Sequence, residues 1–169
     1  MTNDPLPSVN EYIKALLSTM VKKNEISNKV EEYLYVKKTT QYGRFYLLSK
    51  IHKREYDIPG RRVISNNGTV TENISAFIDF YLKPMFSKVA HILEDTQGFL
   101  NRIKDIDTIP HNAILVSFDL IGLYPHIPHD ERITSIKRFL NMRNRKTVST
   151  ESLCALANIV LEENYFENG

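Results

Sequence analysis

A chain of 169 residues, 42% hydrophobic, 10% aromatic and 25% charged, has the make-up of a globular protein. It can hold one core or form the front part of a larger domain. The single cysteine, Cys154, excludes an internal disulfide framework and a cysteine-based zinc site. No apolar run approaches the roughly 18 residues that span a bilayer, the N-terminus lacks the basic and apolar regions of a signal peptide, and a soluble intracellular chain is expected, nuclear or cytoplasmic.

Ser8 and Glu11 have the spacing of a capping box, which predicts a helix from there toward Val21. A second short helix is expected over Asn28 to Leu34. Arg44 to Ser49 and Arg62 to Ser65 read as two strands of a separate hairpin, joined by a polar loop, and Asn66-Asn67-Gly68 then turns the chain. Thr69 and Glu72 form a second capping box. The apolar positions Ile74, Phe77, Ile78, Tyr81, Leu82 and Met85 follow at the period of an amphipathic helix, which Pro84 should kink or end.

Asp95 can cap a helix through Ile103, and Asp105 to Asn112 is a loop. Ile114 to Phe118 is an apolar, β-rich run that suits a strand buried on both faces. Pro128 can sit in the first turn of a helix carrying Ile133, Ile136 and Leu140 on one side. Arg143 to Lys146 reads as a basic loop, and Ser149 or Thr150 starts a last helix with Leu153, Leu156, Val160 and Leu161 on its apolar face. No closing strand is expected after it, so the sheet containing Ile114 to Phe118 reads as incomplete. There is no internal repeat and no low-complexity tract.

The chemistry concentrates in two places. Asp119 stands at the end of the apolar run, and Tyr124 follows five residues later. Desolvating a carboxylate costs several kcal/mol as an order of magnitude, so such a group needs a basic partner, backbone N–H donors or a cation. The bland alternative is a strand-terminal Asp capping the next turn. The second place is Lys22 to Arg62, where basic residues outnumber acidic ones and are interleaved with Tyr33, Tyr35, Tyr42, Phe45, Tyr46 and Tyr56. Cations that neutralise phosphates beside aromatics that stack on bases make a nucleic-acid surface. A solvated basic face is the alternative.

Other patterns carry less. His126 and His129 have H-x-x-H spacing with Pro128 between them and no third ligand near in sequence. Asp105 and Asp107 read as solvated turn acids, and Glu162-Glu163 as the wet face of the last helix.

Three segments in order resemble the reverse transcriptases, most closely those of Penelope-like retroelements. They are R-F-Y-L-L-S-K-I-H-K (Arg44 to Lys53), G-R-R-V-I-S (Gly60 to Ser65) running into T-E-N-I-S-A-F-I-D-F-Y-L-K-P (Thr71 to Pro84), and L-V-S-F-D-L-I-G-L-Y-P-H-I-P-H-D-E (Leu115 to Glu131). The family shows F-Y-L-L-P-K-I-H-K, G-R-P-I-V-S and D-V-x-x-L-Y-x-N-I-P there. The resemblance covers roughly residues 20 to 169 and implies RNA-directed DNA synthesis from an RNA template, a DNA primer and deoxynucleoside triphosphates. The chemistry is an in-line displacement at phosphorus on two Mg²⁺ ions about 3.5–4 Å apart.

By this resemblance Asp119 is a catalytic metal ligand, and the backbone carbonyl of Leu120 supplies a further oxygen. Tyr124 matches the position that selects the sugar; a core tyrosine is the alternative on spacing alone. Lys50 and Arg61 match residues that grip the incoming triphosphate, as a point charge and a planar fork. Surface salt bridges to Glu55 or Asp57 are their alternative. Lys53 and Arg54, with Arg62, are expected to follow the nucleic-acid backbone.

The chain departs from the family at Ser49, Arg62 and His126, where the family has Pro, Pro and Asn. No Asp-Asp pair, the family's second catalytic element, occurs in the sequence. One carboxylate does not hold two Mg²⁺ ions, so no polymerisation is expected from this polypeptide alone. The expected fold is α+β, with helix-rich fingers and part of the palm of a right-hand polymerase. The expected segments are 1–43 (helical), 44–112 (fingers) and 113–169 (first part of the palm). The alternative is a non-catalytic nucleic-acid-binding remnant of a retroelement. Oligomeric state is left open, and an exposed edge at the Ile114 run predicts poor solubility.

Overall fold

The computed structural model describes residues 4–35, 41–51, 56, 58, 60–86, 88–89, 91–93 and 95–167. The architecture is mixed α+β. Among the described residues seven helices, α1 (Leu6–Lys22), α2 (Asn28–Leu34), α3 (Glu72–Phe86), α4 (Thr96–Lys104), α5 (Leu123–His126), α6 (His129–Asn141) and α7 (Thr150–Glu162), accompany three strands. The strands are β1 (Gly43–Ser49), β2 (Gly60–Ser65) and β3 (Phe166–Glu167), ordered β2-β1-β3. Among the described residues no helix is long and apolar enough to cross a membrane.

Helix α1 begins earlier than its Ser8–Glu11 pair predicts. Pro5 occupies the N-cap, the Asp4 carboxylate accepts the Leu6 N–H at 2.9 Å, and the Ser8 hydroxyl donates back to the Pro5 carbonyl. A Pro has no N–H to lose and a preset φ, so it opens the helix ahead of the apparent cap. Leu6, Val9, Ile13, Leu17 and Met20 then recur every three or four residues and are all buried. Helix α2 has its expected bounds, capped by Ser27, which accepts the Val30 N–H.

The second expected capping box also takes a different form. Glu72 reaches back to the Gly68 N–H at 2.8 Å, and the Thr69 hydroxyl donates to the Asn66 carbonyl. The apolar stripe of α3 is as expected: Ile74, Ile78 and Met85 are buried, and Phe77, Tyr81 and Leu82 pack against the core. Pro84 lies inside α3, which runs two residues further to Phe86.

One core joins α1, α2, α3, α6 and α7. Its fully buried members include Ile13, Leu17, Leu34, Ile74, Leu140 and Leu153, so it draws on all three stretches of the chain named above. Polar ties pin the layers. Ser18 donates to Glu31 at 2.7 Å between α1 and α2, and Asn73 donates to the Tyr33 carbonyl at 2.7 Å between α2 and α3. The Ser149 cap on α7 accepts the Ser152 N–H.

Arg143 is not the solvated loop residue its basic neighbours suggest. It is buried, donating from Nε to the Leu140 carbonyl at 2.8 Å and from Nη2 to the Val148 carbonyl at 3.2 Å. Its guanidinium carbon lies 5.3 Å from the centroid of the Tyr81 ring. The tight α6–α7 connection leaves carbonyl oxygens facing inward, and a fork of donors satisfies them.

Two expectations fail in the sheet. The chain after α7 does form a strand: Phe166 and Glu167 pair in parallel with Gly43 and Arg44. The β1–β2 pair is therefore not a separate hairpin. Gly43 sits at the junction, donating its N–H to the Tyr165 carbonyl at 2.9 Å. A Cβ there would meet Asn66 Oδ1 at 2.9 Å and Ile64 Cγ2 at 3.0 Å, so any larger residue requires those side chains to shift.

The second failure is larger. Ile114 to Phe118 is not a buried strand: among the described residues the run pairs with no strand, and its side chains face solvent, Leu115 at 100% and Phe118 at 92% exposure. Local pattern gave it strand character, but a strand without hydrogen-bonding neighbours has nothing to bury its backbone or its faces.

Candidate functional site

The β1–β2 ladder fixes the best-defined part of the site. Arg44 pairs with Ser65, Tyr46 with Val63, and Leu48 with Arg61 in antiparallel register. Directly opposed residues share a face, and alternate residues lie on opposite faces. Arg44, Tyr46, Leu48 and Arg61 therefore lie on one face of the pair. Phe45, Leu47, Arg62 and Ile64 lie on the other, where Phe45 stacks on Phe166 with ring centroids 6.1 Å apart.

The same two-residue period places Lys50, the first residue after β1, on the side of Leu48 and Arg61. Arg44, Arg61 and Arg62 are exposed, Lys50 is half-buried, and Tyr46 is 44% exposed. The face with Arg44, Tyr46 and Arg61 thus offers two guanidinium forks around an accessible ring. That is the chemistry that contacts phosphates and stacks on a base or sugar. The Arg62 fork points from the reverse face. Lys53, Arg54 and their acidic alternatives Glu55 and Asp57 lie outside the described residues.

The aromatics of the basic stretch divide. Tyr33, Tyr46 and Tyr56 are exposed, whereas Tyr35 packs against the helical core. Tyr42 donates to Asp4 at 2.5 Å, tying the N-terminus to the start of the sheet. That hydrogen bond lowers the Asp4 pKa and raises Tyr42 to about 12.

Asp119 is exposed and belongs to no strand; Leu120 beside it is also exposed. Gly122, at φ 66°, turns the chain into the short helix α5, which sequence periodicity does not foreshadow. Tyr124 lies on that helix; its side-chain placement is outside the description. His126 contacts the Gly122 carbonyl through Nδ1 at 2.5 Å, and His129 opens α6. Among the described residues no three His, Cys, Asp or Glu side chains come together as a metal site. The residues present therefore do not fit a two-ion centre: Asp119 and the Leu120 carbonyl belong to an open segment with no second carboxylate motif beside them. Asp105 and Asp107 are exposed in the loop after α4.

A polar cleft of about 170 Å³ opens where the turn after β2 meets α3, lined by Asn66, Asn67, Thr71, Glu72, Ser75 and Val160. Asn66 donates to Asn164 at 2.7 Å, linking the turn to the segment after α7. The motif-bearing residues are not in it; they lie on the open hairpin and on the Asp119 segment. No family model, curated protein or solved structure matches the chain.

Proposed function

We propose that this chain is the fingers and first part of the palm of a reverse transcriptase of Penelope-like type, and that its own task is to hold nucleic acid and an incoming deoxynucleoside triphosphate. The observation that carries this reading is the strand register. It groups Arg61 with Arg44 and Tyr46 on one exposed face, with Lys50 on the same side by period. These residues belong to the two segments that resemble the family's triphosphate-binding fingers.

On this reading Lys50 and Arg61 bind phosphate oxygens, while Arg44 and Arg62 take the nucleic-acid backbone from the two sides of the hairpin. Tyr124 selects the sugar. Asp119 would be one ligand of the Mg²⁺ that supplies Lewis-acid chemistry in a complete enzyme. The residues described here do not assemble that centre, and the polypeptide by itself binds without extending a primer.

Titration of a deoxynucleoside triphosphate into the chain tests the assignment. Lys50→Ala and Arg61→Ala should each weaken binding roughly 10- to 150-fold, as expected for loss of a charge-assisted contact worth ~1.5–3 kcal/mol. Arg62→Ala, on the reverse face, should leave it unchanged. Equal weakening by all three variants would mean a diffuse basic surface with no triphosphate site.

A second reading, a nucleic-acid-binding remnant without chemistry, is favoured by one contrast. The hairpin is formed in full register, whereas the Asp119 segment is unpaired.

A further inference from the structure

The stretch from α4 to Ile121 holds two elements that lack what the other offers. Helix α4 carries Phe99, Leu100 and Ile103 at helical spacing, yet buries none of its residues. Ile114, Leu115, Val116, Phe118, Leu120 and Ile121 are 59–100% exposed and pair with no strand. Summed over the two elements, the exposed apolar surface is on the order of 1,000 Å². It is comparable with the ~800 Å² that each partner gives to a standard interface.

We propose that a second copy of this chain covers this surface, by antiparallel pairing of the Ile114–Phe118 run with its own symmetry mate about Val116. The α4 stripes then close over the apolar face of the ribbon. Charge selects this arrangement. Asn112 to Ile121 contains one charged residue, Asp119. Parallel, in-register stacking sets Asp119 against Asp119 every ~4.8 Å, which is destabilising. Antiparallel pairing about Val116 sets Asp119 opposite Ala113, with His111 as its diagonal neighbour. It also sets Ile114 opposite Phe118. Ile114, Val116 and Phe118 of both copies then share one face, and the partner supplies backbone hydrogen bonds along the run. A two-fold interface is self-complementary by construction, so no other surface has to match it.

Sedimentation velocity of the full chain between about 1 and 100 µM should show a reversible monomer–dimer equilibrium. Val116→Asp puts two carboxylates side by side on the dyad and should raise the dissociation constant at least ~10-fold. The helical core, probed by far-UV circular dichroism and thermal midpoint, should stay unchanged, because Val116 is outside it. In a Cys154→Ser background, oxidising a mixture of Ile114→Cys and Phe118→Cys chains should give the mixed disulfide in preference to either homodimer. A monomer throughout the range, open-ended growth, association indifferent to Val116→Asp, or preferred homodisulfides would each overturn the proposal.

Discussion

Leu48 of β1 and Arg61 of β2 stand directly opposite each other in the antiparallel ladder. That single pairing decides the sidedness of the hairpin: it turns Arg61 toward the face of Arg44 and Tyr46, and the adjacent Arg62 to the reverse. Two neighbouring arginines in sequence thus lie on opposite faces of the pair, and the proposed function gives them different work. A polynucleotide lying on the face that carries Arg61 meets Arg44 beside it, and a contact from Arg62 requires a strand on the other side.

This sidedness gives a first prediction. Arg44→Ala and Arg62→Ala combined should weaken binding of a single-stranded oligonucleotide by about the sum of their separate effects in kcal/mol, since each contacts its own phosphate. Tyr46→Ala should cost a further ~1–3 kcal/mol if the ring stacks on a base. Fluorescence anisotropy at fixed salt measures all three, and an unchanged affinity in Tyr46→Ala would remove the stacking contact.

Arg143 supports a second prediction, on stability. Replacing it with Ala removes the side-chain donors to the Leu140 and Val148 carbonyls, the former keeping the Arg143 backbone N–H at 3.3 Å, and removes the cation from the Tyr81 ring. A loss of about 2–4 kcal/mol is expected from these terms together. Arg143→Lys keeps the charge but not the fork, and should recover only part of it. Urea unfolding followed by circular dichroism reads both, and a neutral Arg143→Ala would mean the loop is held by Thr150–Asn141 alone.

Core truncation provides the third. Leu153→Ala and Leu17→Ala, both at fully buried positions on different helices, should each cost about 2–5 kcal/mol. If α1 and α7 share one cooperative core, both variants lower the midpoint of the same single transition. Separate transitions would divide the chain into independent units.

The Asp4–Tyr42 contact has a pH signature. A carboxyl held below its ordinary 3.8 stabilises the fold above that value, and the contribution is lost as pH falls through the folded-state pKa. A phenol raised from 10.0 to about 12 contributes below pH 10, and the contribution is lost as pH rises toward 12. Ultraviolet titration should show a tyrosine with a midpoint near 12 that disappears in Tyr42→Phe and moves back toward 10 in Asp4→Asn. Tyr165, raised by its hydrogen bond to Glu163, also titrates late, so the variants are needed to assign the signal.

Much of the helical layer is legible in the sequence because caps and periods are local. Ser27 before Asn28–Leu34, Asp95 before Thr96–Lys104 and the Ile74-to-Met85 stripe all act within a few residues of themselves. The parts that depend on distant chain are not legible. Phe166–Glu167 is too short to show any period, and becomes a strand only because β1 presents a free edge. Ile114–Phe118 has the composition of a strand, but pairing is a property of neighbours that no local pattern contains. Arg143 looks like surface charge until the carbonyls it serves are placed in space. Of the candidate site, the β1–β2 positions are legible because alternation fixes sidedness once the register is set. Asp119 is legible only as chemistry, since its surroundings are not set by its own segment.

The most direct measurement is the salt dependence of binding to an RNA template annealed to a DNA primer, for the chain and for its Arg44→Ala/Arg62→Ala double variant. The wild type should bind with a steep negative slope of log affinity against log salt. The double variant should lose about 1.5–2 from the magnitude of that slope, close to one per phosphate contact removed. Salt-insensitive binding, or a slope unchanged in the double variant, would contradict a nucleic-acid-gripping role for the hairpin.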